Sequence, residues 1–128
     1  MSIHQEISIS ASVSEVFKTL TDTASFERMT GGRKADISKA VGGAASMFGG
    51  DITAVNVEMV PGKRLVQAWR AQNWPEGVHS IVRFELHAEG KATKIIFDQA
   101  GYPDGAHAML SGGWHKMYWE PMQNMLAG

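Results

Sequence analysis

The chain contains no cysteine. Disulfide stapling, thiolate chemistry and cysteine-ligated zinc are excluded with it, and the composition suits a reducing compartment. An excess of charge of either sign is missing too. Lys and Arg number 12 against 13 Asp and Glu, a formal net charge of -1, so no global field steers the protein toward nucleic acid or anionic lipid. No stretch approaches the roughly 18 apolar residues of a membrane span. The opening Met1-Ser2-Ile3-His4-Gln5-Glu6 lacks the basic segment and apolar run of a signal peptide, which makes the cytoplasm the expected location. No repeat, low-complexity tract or linker interrupts the 128 residues. They fit one domain, 1–128, able to bury roughly two-thirds of its unfolded surface.

Large, soft side chains are what the chain does have, and residues 106–126 are loaded with them. This segment has the period of one long helix. Leu110, Trp114, Met117, Pro121 and Met125 recur at spacings of three and four, sharing one face at roughly 100° per residue. His107 and Tyr118 border that face, while Lys116, Glu120 and Gln123 lie opposite. Trp119 falls about 180° from the stripe, packed under the N-terminal segment or facing a partner. Met and Trp fill irregular space rather than a tight, rigid core. Pro121 has no N–H for the Met117 carbonyl and clashes with it, which predicts a bend or a loosened turn nearby.

The rest of the chain reads as strands with a helical insertion. Ile3, Gln5, Ile7 and Ile9 alternate with polar residues as a half-buried strand. Ser12 with Glu15 forms a capping box for a short helix striped by Val13, Val16, Phe17 and Leu20, and Asp22 caps a second that Gly31-Gly32 ends. A weak strand at 35–38 and a short one at 44–48 precede a longer strand at 52–60. Pro61-Gly62 turns that strand into 64–71, and strands near 80–86 and 93–97 follow, with Asp104 the expected cap of the last helix. The fold class is α+β, an antiparallel sheet of about six to seven strands, two short helices after the first strand, and a long C-terminal helix. Such a curved sheet with one helix across its mouth tends to leave a hollow.

Catalytic patterns fail. Ser46 lies in Gly43-Ala44-Ala45-Ser46-Met47-Phe48-Gly49, without the glycine spacing of a nucleophile elbow, and the paired glycines open no phosphate loop. His79 and His87 would lie roughly 27 Å apart along one strand, too far to share an ion. Glu58, grouped with Asn56 and Ile52 on one strand face, and Asp98, alternating with Phe97 and Gln99, are isolated carboxylates that could ionise at a pocket rim. No catalytic residue, metal or cofactor is therefore assigned. His107 is the best single acid–base candidate, and it is expected to meet solvent or backbone with no carboxylate orienting it. Trp69 shares a strand face with Leu65 and Gln67, and Trp74 precedes Pro75 in a loop.

Together, Val13-x-x-Val16-Phe17-x-x-Leu20-Thr21-Asp22, Met29-Thr30-Gly31, Gly42-Gly43 and Phe48-Gly49-Gly50 resemble the START-like (SRPBCC) superfamily. The strongest segment is Glu58-x-x-Pro61-Gly62-Lys63-Arg64-Leu65-Val66-Gln67-x-Trp69-Arg70, and Trp74-Pro75, Ser80-x-Val82-x-Phe84-x-Leu86, Thr93 and Gly113-Trp114-x-x-x-Tyr118-Trp119 continue it over nearly the whole chain. The nearest branch resembles the C-terminal domain of the heat-shock protein 90 ATPase activator. That resemblance implies a helix-grip fold with a deep apolar cavity between sheet and helix. Relatives bind lipids, hormones and polyketides, and some catalyse cyclisation or hydrolysis. Phe48, Trp69, Phe84, Phe97, His107, Leu110, Trp114, Met117 and Tyr118 become the expected ligand-binding residues. The expected function is binding of a small hydrophobic molecule. The alternatives are a cyclase or hydrolase in the same cavity, or a co-chaperone-like protein with a protein partner or a homodimer.

Overall fold

The computed structural model describes residues 2–127. Seven strands form one antiparallel sheet in the order β1-β7-β6-β5-β4-β3-β2. They are β1 Ser2–Ile9, β2 Asp36–Ile37, β3 Ala44–Met47, β4 Ile52–Val60, β5 Arg64–Ala71, β6 Ser80–Glu89 and β7 Ala92–Ala100. Between β1 and β2 lie two short helices, α1 Val13–Thr21 and α2 Thr23–Met29. The curved sheet, the paired short helices and the C-terminal helix make the helix-grip arrangement.

Local chemistry accounts for most of these boundaries. Ser12 Oγ accepts from the Glu15 N–H at 3.2 Å, and Asp22 accepts from the Ser25 N–H at 3.0 Å, so each short helix starts on its own side-chain cap. Lys63 N–H donates to the Val60 carbonyl at 2.9 Å, with Gly62 at a φ of 71° that the turn requires. The last helix has no such cap. Ala106 occupies the N-cap position without a side-chain bond, because Pro103-Asp104-Gly105 closes its own turn through Ala106 N–H to the Pro103 carbonyl, leaving Asp104 outside the helix.

That helix is not one uniform rod. It runs as α3 His107–Trp114, a π-helical turn His115–Trp119, and α4 Glu120–Ala127. Glu120 N–H reaches back five residues to the His115 carbonyl. The distortion sits just before Pro121, whose missing donor disfavours a regular turn there. One extra residue per turn carries the buried face forward by one position. Trp114, Tyr118, Trp119 and Met122 are buried, whereas Pro121 and Met125 are only half-buried. Trp119 therefore belongs to the core and not to the outer side, with 2% of its surface exposed.

A β-bulge corrects the reading of Glu58. The β4–β5 register shifts between Asn56 and Glu58, so Asn56 stays buried while Glu58 turns outward and accepts from Arg64 Nε at 2.6 Å. Asp98 also lies on the outer face, between His4 Nδ1 at 2.7 Å and Arg83 Nη2 at 2.9 Å. Neither carboxylate reaches a pocket rim beneath the helix.

This outer ladder carries a pH dependence. Hydrogen bonds to Asp98 and Glu6 raise the His4 pKa above the ordinary histidine value, and bonds from Lys94 and His4 lower Glu6 to about 2. A raised histidine stabilises the fold below its unfolded pKa of about 6.5, and that contribution disappears as pH rises through the folded value. His4→Gln should therefore lower the melting temperature near about pH 5.5 and have little effect near about pH 8. Equal losses at both ends would contradict the assignment.

Candidate functional site

Aromatic residues from both layers meet under the C-terminal helix. Phe97 of β7 packs on Trp114 at 4.2 Å between ring centroids, and Trp114 packs on Tyr118 at 4.4 Å. Phe84 of β6 lies 5.2 Å from Phe97, and Trp119 lies 5.4 Å from Phe97. Side-chain amides of the strands tie these rings to the sheet. Trp114 Nε1 donates to Gln99 Oε1 and Trp119 Nε1 to Gln5 Oε1, each at 2.7 Å. Gln99 in turn donates to Ser80 Oγ at 3.1 Å, and Ser80 to the Trp69 carbonyl at 2.9 Å. Strand alternation supplied these inward glutamines, but polar side chains in a hydrophobic pattern read as interruptions.

Beside this cluster a pocket of about 250 Å³ opens to the surface. Phe48, Trp69, Leu110, Trp114, Met117 and Tyr118 line it, together with Ile52, Ala71, Met109 and Gly113, and Arg33 and Asp51 also take part. Phe84 and Phe97 do not. They lie fully buried against Trp114, in the filled interior between sheet and helix. The deep cavity implied by the resemblance is thus a pocket at one end of a packed core. His107 is half-buried and also off the pocket wall, with Nδ1 2.7 Å from the Tyr102 hydroxyl. Its hydrogen-bond partner among the described residues is that side chain rather than backbone, and no carboxylate among them bonds to it.

Phe48 is held in an unusual state. Its φ is 53°, a left-handed conformation that a bulky side chain rarely adopts. Its ring packs against Phe26 at 5.4 Å and Tyr118 at 5.7 Å, and the Arg33 guanidinium lies 5.1 Å from it. Arg33 Nη2 also donates to the Phe48 carbonyl at 3.0 Å and to Asp51 at 2.9 Å. Such strain costs on the order of 1–3 kcal/mol and persists where packing overdetermines it, often at a site of function. The sequence marks it only by the following Gly49-Gly50, which read equally well as a strand bend.

Among the described residues no group of three or more His, Asp and Glu could hold a metal ion, and no helix is long and apolar enough to cross a membrane. The Tyr118 phenol is buried, which raises its pKa above the ordinary phenol value, so it remains a protonated donor.

Residues 10–127 match the family described as activator of Hsp90 ATPase homolog 1-like protein. The chain belongs to this family. The activator of 90 kDa heat shock protein ATPase homolog of Dictyostelium discoideum is 37% identical over 76 residues, covering 59% of this chain and 20% of that protein. Homolog 2 of Mus musculus is 28% identical over 85 residues, covering 66% and 26%. The chain thus spans about a fifth to a quarter of the length of these curated relatives. An HSP90 activator from Plasmodium falciparum has the same fold, with a TM-score of 0.94, 22% identity, and coverage of 99% of this chain and 96% of that one. The Aha1 dimer from Colwellia psychrerythraea superposes at 0.83 with 18% identity, covering 98% and 96%. Within the Hsp90-activator-like family, then, the pocket sits on a backbone shared end to end with solved relatives.

Proposed function

We propose that this member of the Hsp90-activator-like family binds a small apolar or amphipathic molecule in the pocket beneath its C-terminal helix. The observation that carries the reading is the pocket's wall. It is almost wholly apolar, flexible at Met109 and Met117, and rimmed by the Arg33–Asp51 pair. No acid–base pair lies on it among the described residues, so binding needs no chemistry beyond burial. Gly113 offers a clean test, because a Cβ added there meets no atom within 4 Å. Gly113→Leu should fill the pocket while removing a helix glycine that costs about 1 kcal/mol relative to alanine. In a titration followed by tryptophan fluorescence, 2-acetylnaphthalene should quench the wild type and leave Gly113→Leu unchanged, with the melting temperature kept. Equal quenching of both proteins would refute the pocket.

A second reading is favoured by the opposite face of the sheet. Ala44, Val55, Ala68, Ile81 and Ala100 are cross-strand neighbours from β3 to β7, and Val55 and Ile81 are 40% and 49% exposed. With Val57 nearby at 49%, this is an apolar row suited to a protein partner. The names of the relatives make an Hsp90-type chaperone the first partner to test, and a second copy of the chain the next. Under this reading, Ile81→Asp abolishes binding to purified Hsp90 in calorimetry. Unchanged binding, or none by the wild type, would remove it.

A further inference from the structure

We infer that Met109 is a modification site: peroxide oxidises its thioether to the sulfoxide at the mouth of the pocket, and the pocket then loses affinity for apolar molecules. The inference rests on the pocket being a small-molecule site and adds how that site is regulated. Met109 is 76% exposed, the most exposed large apolar side chain among the described residues. It nevertheless lines the pocket. The other methionines among the described residues are sheltered. Met29, Met47 and Met122 are buried, and Met59, Met117 and Met125 are half-buried. The chain has no cysteine, so no thiolate competes for the oxidant and exposure ranks the sulfurs.

The place of Met109 in the helix gives its oxidation a consequence. It is the third residue of α3, whose N-cap position makes no side-chain bond. Gly113 follows four residues on, on the same helix face, and a Cβ there would meet no atom within 4 Å. With Met117 beyond it, also in the wall, two thioethers flank a position that has no side chain. They are the adaptable part of a wall otherwise dominated by the rings of Phe48, Trp69, Trp114 and Tyr118. In the oxidation, a lone pair of the Met109 sulfur attacks one peroxide oxygen and the O–O bond breaks. The sulfur keeps that oxygen and is oxidised by two electrons, while the second oxygen leaves as water with both hydrogens. The sulfoxide is polar. To close over an apolar molecule it must give up bound water, a cost the thioether does not have. The oxidised side chain therefore stays in solvent and leaves the mouth of the pocket open.

The test treats the full chain with limiting hydrogen peroxide, follows each methionine by peptide mass spectrometry, and titrates 2-acetylnaphthalene before and after. Met109 should be oxidised at least about fivefold faster than Met47, Met117 or Met122. Affinity should fall about tenfold as the Met109 sulfoxide accumulates. It should return when the two methionine sulfoxide reductases, one per epimer, reduce the sulfoxide with a dithiol. Met109→Gln, polar and of similar length, should reproduce the loss without peroxide. Met109→Leu, whatever its own affinity, should bind the probe equally before and after the same treatment. Both substitutions fall on an exposed position, where the fold tolerates them. The inference is overturned, with the pocket left standing, by any of four results: oxidation of a buried methionine ahead of Met109, an affinity indifferent to the Met109 sulfoxide, wild-type affinity in Met109→Gln, or a peroxide-induced loss that persists in Met109→Leu. Untreated protein that binds no probe overturns the pocket and the inference with it.

Discussion

Trp119→Ala is expected to destabilise the protein by about 3–5 kcal/mol, the range for emptying a buried aromatic site. Its ring lies 5.4 Å from Phe97, 5.8 Å from Trp114 and 6.1 Å from Phe84, so the hole left behind is walled by other rigid rings and cannot collapse easily. Gln5 Oε1 also loses its donor at 2.7 Å. For a chain of this length the melting temperature should fall by roughly 10–20 °C. Trp119→Phe separates the two contributions, restoring most of the volume but not the hydrogen bond, and should recover more than half of the loss. Because Trp119 does not line the pocket, probe binding at low temperature should survive both changes. A loss below about 1 kcal/mol in urea unfolding would place Trp119 on the surface after all.

Trp114→Ala should cost a similar amount, about 3–5 kcal/mol, with the opposite outcome for the pocket. Trp114 is the wall between the pocket and the buried Phe97 ring, 4.2 Å away. Removing the indole extends the pocket inward and frees Gln99 Oε1 to face it. Ligands should therefore still bind, and a probe one fused ring larger, 2-acetylanthracene, should bind the variant more tightly than the wild type. Unchanged selectivity between two-ring and three-ring probes would show that Trp114 does not bound the pocket. Taken together, the two tryptophans separate core from site, since both truncations destabilise and only one alters what is bound.

The elements and their order are legible in the sequence because the signals are local. Ser12 and Asp22 sit in sequence next to the N–H groups they cap, and Pro61-Gly62 carries its turn within itself. Trp69, Leu110, Trp114, Met117 and Tyr118 reach one pocket because strand and helix periods already place them on inward faces. What escaped depends on distant contacts. Pro121 announces a distortion, but not its π-helical form, which buries Tyr118 and Trp119 side by side where a uniform 3.6-residue period puts Trp119 outside. The bulge that turns Glu58 outward is invisible until β5 is placed beside β4. Nothing in the sequence around Arg33 or Asp51 reveals that one guanidinium will reach both Asp51 and the Phe48 carbonyl. Of the glutamines that receive the indoles, Gln5 comes from the strand at the other end of the chain, and Gln99 from the strand just before the helix reads only as a polar interruption.

The pocket can be located without any substitution. In a protein carrying ¹³C-labelled methyl groups at methionine, valine and isoleucine, bound 2-acetylnaphthalene should show nuclear Overhauser contacts from its ring protons to the Met109 and Met117 methyls. Both residues line the pocket, and neither is on the outer face of the sheet. Contacts to Val55, Val57 and Ile81 instead, or none to either methionine at saturation, would contradict binding beneath the helix.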